Sequence, residues 1–299
     1  MIAALDIGIV MGLILAWSVL GLTLSYRLLD FPDLTIEASL LIGGASYAVL
    51  HRAGFGLFVA TVLAVVAGGL AGAVTGWINS RFRINKFLCG IIVISIAYTV
   101  GLRLMGSSNI GQTQASTLLD LFAPLDQGGS LPFHVGSIVF LTLLAAGIIG
   151  FLFLALRTQP GLKMRVAGSN PGYARSLGIP VSRNIVLGLF ITNSLSALSG
   201  VLLVMHQGFA DISMGQGVLV ISLAAMTIGE RLLPERRMSL PTFVVFAAIL
   251  GSIVYQTILA LAIGAGLAAT DLRLATAMFV LVVVALKLTG RVDLLEEEA

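Results

Sequence analysis

Residues 157–183 read RTQPGLKMRVAGSNPGYARSLGIPVSR, with five basic residues and no acidic one, between two long apolar segments. At its centre Asn170 is a favoured N-cap residue, and Pro171 fits the first helical position. Gly178 fits the position just past a helix end, and Pro180 blocks continuation. The enclosed segment is about two turns, roughly 11 Å long. That is far too short to cross a bilayer and too short to be stable alone in water. Tyr173 and Leu177 are four apart and share a face, while Arg175 points away. Such a helix needs a surface to dock on. The surface is either its own protein beneath a positively charged loop, or a partner.

The rest of the chain identifies the solvent. Of the residues, 58% are hydrophobic and 10% charged, and mean hydropathy is +1.05. A soluble domain carries about 25% charged residues, so these charges cannot cover a water-facing surface. Several apolar runs approach the roughly 20 residues that cross a bilayer. An integral membrane protein is expected. The first run, 7–29, is not a cleavable signal peptide, because it lacks a basic n-region, is too long and precedes no A-x-A-like site. The single cysteine, Cys89, excludes an intrachain disulfide and a redox pair. A pI near 9.3 raises nucleic-acid binding, but the placement of the charges accounts for it better.

Hydropathy predicts an all-α, polytopic chain with about nine spans, eight to ten: 7–29, 38–50, 55–80, 87–105, 135–156, 185–205, 218–232, 241–264 and 273–290. The second is short enough to be half of a broken helix. Lysine and arginine orient the chain, because cytoplasmic loops are enriched in them. Loops 81–86 and 157–184, residues Arg231, Arg236 and Arg237, and the tail's Lys287 and Arg291 fall on one side. Only Arg52, Arg103 and Arg273 fall on the other. The N-terminus is then outside and the C-terminus cytoplasmic; if 38–50 does not cross, the N-terminus moves inside.

FPDLTI (31–36) and FADISM (209–214) match in pattern at an offset of 178. Each precedes a short apolar segment, and the two lie on opposite sides. This predicts an inverted repeat with broken helices, a common transporter plan. The halves would be 7–156 and 185–290, joined by 157–184 in one domain spanning 1–299.

Several chemistries are unsupported. There is no G-x-x-x-x-G-K-[ST] phosphate loop and no H-E-x-x-H. No G-x-S-x-G elbow occurs. His51, His134, His206 and Cys89 show no zinc-ligand spacing, so no metal site is expected.

Polar residues in apolar runs are costly and seldom idle. Asp33, Glu37, Asp211 and Gln216 flank the two short segments. Ser95, Tyr98, Asn193, Ser194 and Ser196 lie mid-span. They either line a solute path or serve helix–helix hydrogen bonding, and Thr35 and Ser213 are candidate caps. Asp33, Glu37 and Asp211 are the strongest candidates for more than packing. Gly68, Gly72 and Gly76 form a close-contact face, at a dimer interface or within one subunit. Gly264 and Gly266 lie in a loop-like AIGAGLAATD at the expected outer rim. The acidic tail LLEEEA reads as a solvated end.

The pattern G168-x-N170-x-x-x-A174-x-x-x-G178-I179, after T158-x-x-G161 and Arg165, resembles the cytoplasmic loop of ABC importer permeases of the branched-chain amino acid and ribose type. The resemblance extends over most of the chain. FPDLTIEAS looks like the family's first discontinuous segment, and AGAVTGWINSRFRINKFLCGI (71–91) like the following helix, turn and helix. The FLCG at 87–90 departs from the small-residue turn expected there. The tryptophan/tyrosine-type permeases are the closest subgroup.

The resemblance implies an importer permease of the bacterial inner membrane, not an enzyme, binding no cofactor. Two permease chains would form the path, with two separate ATPase subunits holding ATP and magnesium below and a solute-binding protein above. Lipids surround the chain, and no nucleic acid is implied. The loop would hold a coupling helix, with Arg165, Gly168, Asn170, Pro171, Tyr173, Ala174, Arg175, Leu177 and Gly178 as coupling residues. Tyr173, Ala174 and Leu177 would supply buried contacts to the ATPase, and Arg165 and Arg175 the rim. The path candidates are Asp33, Thr35, Glu37, Ser95, Tyr98, Asn193, Asp211 and Ser213. An amino acid or related small carboxylate is the expected solute. A sugar or nucleoside, a stand-alone secondary transporter, and a membrane enzyme or assembly factor are the alternatives.

Overall fold

The computed structural model describes residues 2–111, 117–122, 135–233 and 239–267, and beyond them positions 271, 274, 277, 278 and 281. Nearly all of this is helix. Four helices come first: α1 (Ile2–Leu28), α2 (Ile36–Arg52), α3 (Leu57–Phe82) and α4 (Lys86–Met105). A strand β1 (Asn109–Gly111) and a 3-10 turn at Leu118–Phe122 follow. Then come α5 (Val135–Arg157), α6 (Gln159–Ser169), α7 (Pro171–Ser176) and α8 (Val181–Gln207). Strand β2 (Phe209–Asp211), α9 (Val218–Leu232) and α10 (Leu240–Gly264) complete the order.

Six of these helices, α1, α3, α4, α5, α8 and α10, are long and apolar enough to cross a membrane. They match six of the nine expected spans. The expected span 38–50 is a longer helix, α2, of 17 residues, and 218–232 is α9, of 15 residues. Both are shorter than the six helices above. The expected span 273–290, Arg236, Arg237, Arg273, Lys287, Arg291, His134 and the acidic tail lie outside the described residues. The all-α expectation needs one amendment. β1 and β2 pair antiparallel, with Ile110 opposite Ala210.

Small residues let the helices approach closely. Gly68 packs beneath Ala197, and Gly72 against Asn193 and Leu189. The glycine face of α3 therefore lies inside the subunit, against α8. Helix α1 crosses α8 in the opposite direction. Gly21 meets the Thr192 carbonyl, Ser18 Oγ and Ser196 Oγ share a 2.8 Å hydrogen bond, and Ser199 Oγ donates to the Ile14 carbonyl at 2.9 Å. On its other flank α1 runs antiparallel to α10, with Gly8 against Thr257 and Gly12 against Ile253. Trp17, Leu20, Leu202 and Phe243 fill the core between them.

Element lengths repeat along the chain. Helices α1 and α8 each have 27 residues, α2 and α9 have 17 and 15, and α3 and α10 have 26 and 25. Ser18 and Ser196, bonded to each other, are 178 residues apart. The same shift carries the Gly21–Thr192 approach onto the Ser199–Ile14 hydrogen bond.

Candidate translocation and coupling sites

Chain direction breaks at two places, and both breaks begin with the same turn. At the first, the Asp33 carboxylate accepts from the Thr35 backbone N–H at 2.8 Å. At the second, Asp211 accepts from the Ser213 backbone N–H, also at 2.8 Å. This local bond is the usual reason aspartate is favoured in turns. The surroundings differ. Asp33 is buried and also accepts from Asn193 Nδ2 at 2.5 Å. Ser39 Oγ donates to Asn193 Oδ1 at 2.6 Å and approaches the Gly68 carbonyl at 3.0 Å. Thr35 and Thr75 share a 2.7 Å hydroxyl pair. A buried polar cluster with each member partnered is rigid, and this one joins the start of α2 to α3 and α8.

The second break is open. Asp211 ends β2 and is half-buried, and it also accepts from the Ser213 hydroxyl. Those hydrogen bonds, with Ser213 first, hold the Asp211 carboxyl below the ordinary carboxylate range against the opposing effect of partial burial. The two breaks touch through Glu37. Its Oε1 accepts from the Gly217 and Leu219 backbone N–H groups at 3.0 and 3.2 Å. A carboxylate of α2's first turn thus caps the N-terminus of α9. The start of α2 and the start of α9 face one another across it. Helix N-termini carry partial positive charge, so a carboxylate between two of them is well placed.

The path candidates separate into three groups. Asp33, Thr35 and Asn193 come together in the buried cluster, and Glu37 lies beside it as the α9 cap. Asp211 and Ser213 sit at the second break. Ser95 and Tyr98 are exposed on the outward face of α4, where Ser95 Oγ donates to its own helix at Ile91. The expectation that Thr35 caps α2 is corrected: its side chain makes no cap bond and turns to Thr75 instead. Ser213 likewise bonds Asp211. Ser196 links Ser18 to the Ile36 carbonyl, whereas the buried Ser194 hydroxyl has no hydrogen-bond partner among the described residues. Ser39, Thr75 and the Glu37 cap were not anticipated. The available signal was a hydroxyl within an otherwise apolar run, with Thr75 set between Gly72 and Gly76.

The basic loop holds two helices, where the sequence signalled one. The expected one, α7, spans Pro171–Ser176, with Asn170 Oδ1 accepting from the Tyr173 N–H at 2.9 Å. Gly178 follows in the left-handed region at φ 71°. Only Ala174 of this helix is buried, among Ala167 of α6 and Val181 of α8. It faces its own protein, so the expectation of a buried Ala174 contact to a partner is corrected. Tyr173 and Leu177 point outward, 56% and 55% exposed, and Arg175 is exposed as well.

The unanticipated helix is α6. It starts at Gln159 with Pro160 in its first turn, where a fixed φ is suited, and it packs through glycine. A Cβ on Gly161 would stand 2.6 Å from the Leu156 Cα, and one on Gly168 would overlap the Leu28 carbonyl and the Leu29 backbone. Gly168 thus seats the loop on the last residues before the first break. Arg165 is half-buried and lines an apolar cavity of about 260 Å³ between α1, α5, α6 and α8. The FLCG at 87–90 lies within α4, whose N-cap Asn85 accepts from the Phe87 N–H at 3.0 Å.

A family model described as "Branched-chain amino acid transport system / permease component" matches residues 4–285. The tyrosine transport system permease protein of Clostridioides difficile is 35% identical over 284 residues, covering 95% of this chain and 90% of that one. An uncharacterized protein of Rickettsia prowazekii is 32% identical over 264 residues, 88% of this chain and 90% of that one. The ribose import permease of Escherichia coli is 26% identical over 208 residues, 66% of this chain and 60% of that one.

Proposed function

This chain belongs to the branched-chain amino acid transport system permease family, and from that premise we propose that it moves an amino acid or related small carboxylate inward across the bacterial inner membrane. It is a multi-pass membrane permease component of an ABC transport system. In the proposed assembly two such chains form the pathway, separate ATPase subunits bind and hydrolyse ATP, and a solute-binding protein delivers the solute. The tyrosine permease relative favours the amino-acid reading. A sugar is the second reading, favoured by the ribose permease.

One observation carries the mechanism. The short helix α7 leaves Tyr173 and Leu177 free while its neighbour α6 rests, through Gly168, on Leu28 and Leu29. A push delivered to the exposed pair therefore reaches the first break through packed backbone. Energy must enter from the partner, because a conformational change needs a state-dependent interaction to drive it.

We read the chain as one permease domain built on an inverted repeat. The matching element lengths, the antiparallel α1–α8 crossing and the shared shift of 178 residues support this reading. The partial helices α2 and α9, meeting start to start at Glu37, fit the same plan. In it the α7 side is cytoplasmic, which puts the start of α1 and the N-terminus outside and, with a final crossing near 273–290, the C-terminus inside. The Asp33–Asn193 cluster fixes the break, and the solute passes along the outward face of α4, at Ser95 and Tyr98, between two chains.

Reconstitution tests this. In liposomes, tyrosine uptake should require the ATPase subunit, ATP and the binding protein together. Uptake by this chain alone, without ATP, would instead establish a secondary transporter.

A further inference from the structure

Below the point where α3 and α8 touch, their ends separate and leave a groove of about 390 Å³. The groove has two zones. Trp77, Val186 and Leu187 form an apolar wall, and Arg81 and Arg183, with the hydroxyls of Ser80 and Ser182, form a polar rim. Neighbouring it is a second groove of about 620 Å³, which Ser80 and Ser182 also line and to which Arg83 and Arg175 contribute. Among the described residues, none that lines either groove is acidic. Arg81, Arg83, Arg175 and Arg183 are all exposed, and none has an ion-pair partner among the described residues.

This arrangement exceeds what a loop biased toward positive charge requires. Loop charge alone does not call for an indole and a leucine in line with two arginines along the axis of the helices. Trp77 and Leu187 are exposed, at 55% and 42%, and occupy the last turns before the basic rim. Tryptophan at that depth is an interface residue, with an apolar body and one polar N–H. The pairing of apolar wall and guanidinium rim matches one ligand shape, an acyl chain ending in a phosphate. Neutral headgroups offer a phosphate too, but four uncompensated arginines favour net negative charge.

We propose that the α3–α8 groove binds an anionic phospholipid, its phosphate at Arg81 and Arg183 and an acyl chain against Trp77 and Leu187. Arg175 belongs to α7, so the headgroup would sit beside the helix that receives the push. The proposal rests on the chain lying in a bilayer, not on the ATPase partnership.

The protein carries its own reporter. It has two tryptophans, and Trp17 is buried at 1% exposure, so Trp17→Phe isolates Trp77. The full chain with that change is placed in vesicles containing brominated phosphatidylglycerol or brominated phosphatidylcholine at equal mole fraction. Phosphatidylglycerol should quench Trp77 at a lower mole fraction. In Arg81→Ala/Arg183→Ala the preference should fall roughly thirtyfold, each basic residue near an anionic surface contributing about fivefold. Arg52→Ala, at the far end of α2, should leave it unchanged. Equal quenching by the two headgroups would overturn the proposal and leave the arginines to an acidic protein surface. A preference surviving the double substitution would overturn it as well.

Discussion

The two breaks, 29–35 and 208–217, are built from one turn placed in two environments. Around Asp33, every polar neighbour is buried and partnered: Asn193, Ser39, Thr35 and Thr75. Around Asp211 the turn faces outward and leans on the β1–β2 pair. The first break also touches the basic loop 157–184 through Gly168, and among the described contacts the second has no such link. Equal local chemistry thus gives a buried, fully partnered turn at one end and a more accessible turn at the other.

The largest separation between them should appear on removing the carboxylates. Asp33→Ala leaves the Thr35 N–H and one of the two Asn193 N–H groups without an acceptor, the other still donating to the Leu189 carbonyl, a loss of about 3 kcal/mol. Asp211→Ala should cost only about 1 kcal/mol, because water can replace the lost acceptor. Thermal unfolding in detergent checks both, and equal costs would erase the distinction.

A stability cost and a larger functional one are expected at Gly168→Val. The added side chain meets the Leu28 and Leu29 backbone, which cannot give way as a side-chain tip can. ATPase association should persist while uptake in liposomes falls at least roughly tenfold, equivalent to about 1.4 kcal/mol. Uptake equal to wild type would mean that α6 does not transmit to the first break.

The smallest effect concerns pH. Asp211 is held below the ordinary carboxylate range by Ser213, so it stabilises the fold above that range. The contribution is lost as pH falls through its lowered value. The stability difference between wild type and Asp211→Asn should therefore shrink on acidification, measured by unfolding at stepped pH. A difference that grows would contradict the assignment.

Local signals were legible in the sequence, and distant pairings were not. Asn170, Pro171 and Gly178 marked both ends of α7 because capping acts within a few residues. Asp33 and Asp211 revealed the related turns for the same reason. Helix α6 was hidden because Pro160 and Gly161 open it and its apolar content is low, so no periodic pattern stands out. The Glu37 cap on α9 spans 180 residues to Gly217, and the Ser39–Asn193 bond spans 154. No local pattern encodes such partners. Arg165 looked like part of a basic surface, but its neighbours Gly161 and Met164 pack inward and draw it over a cavity. Ala174 behaves similarly: its small size suits burial beneath α7, a use that a list of exposed contacts overlooks.

In the proposed mechanism, α7 is the point where a partner's work enters. Purifying the complex from cells expressing Tyr173→Asp/Leu177→Asp tests this directly, since both side chains point away from the fold and the spans should stay intact. The ATPase subunit should co-purify with the wild-type chain and be lost, with ATP-driven uptake, from the double variant. Full recovery of the ATPase and of uptake with the substituted chain would contradict it.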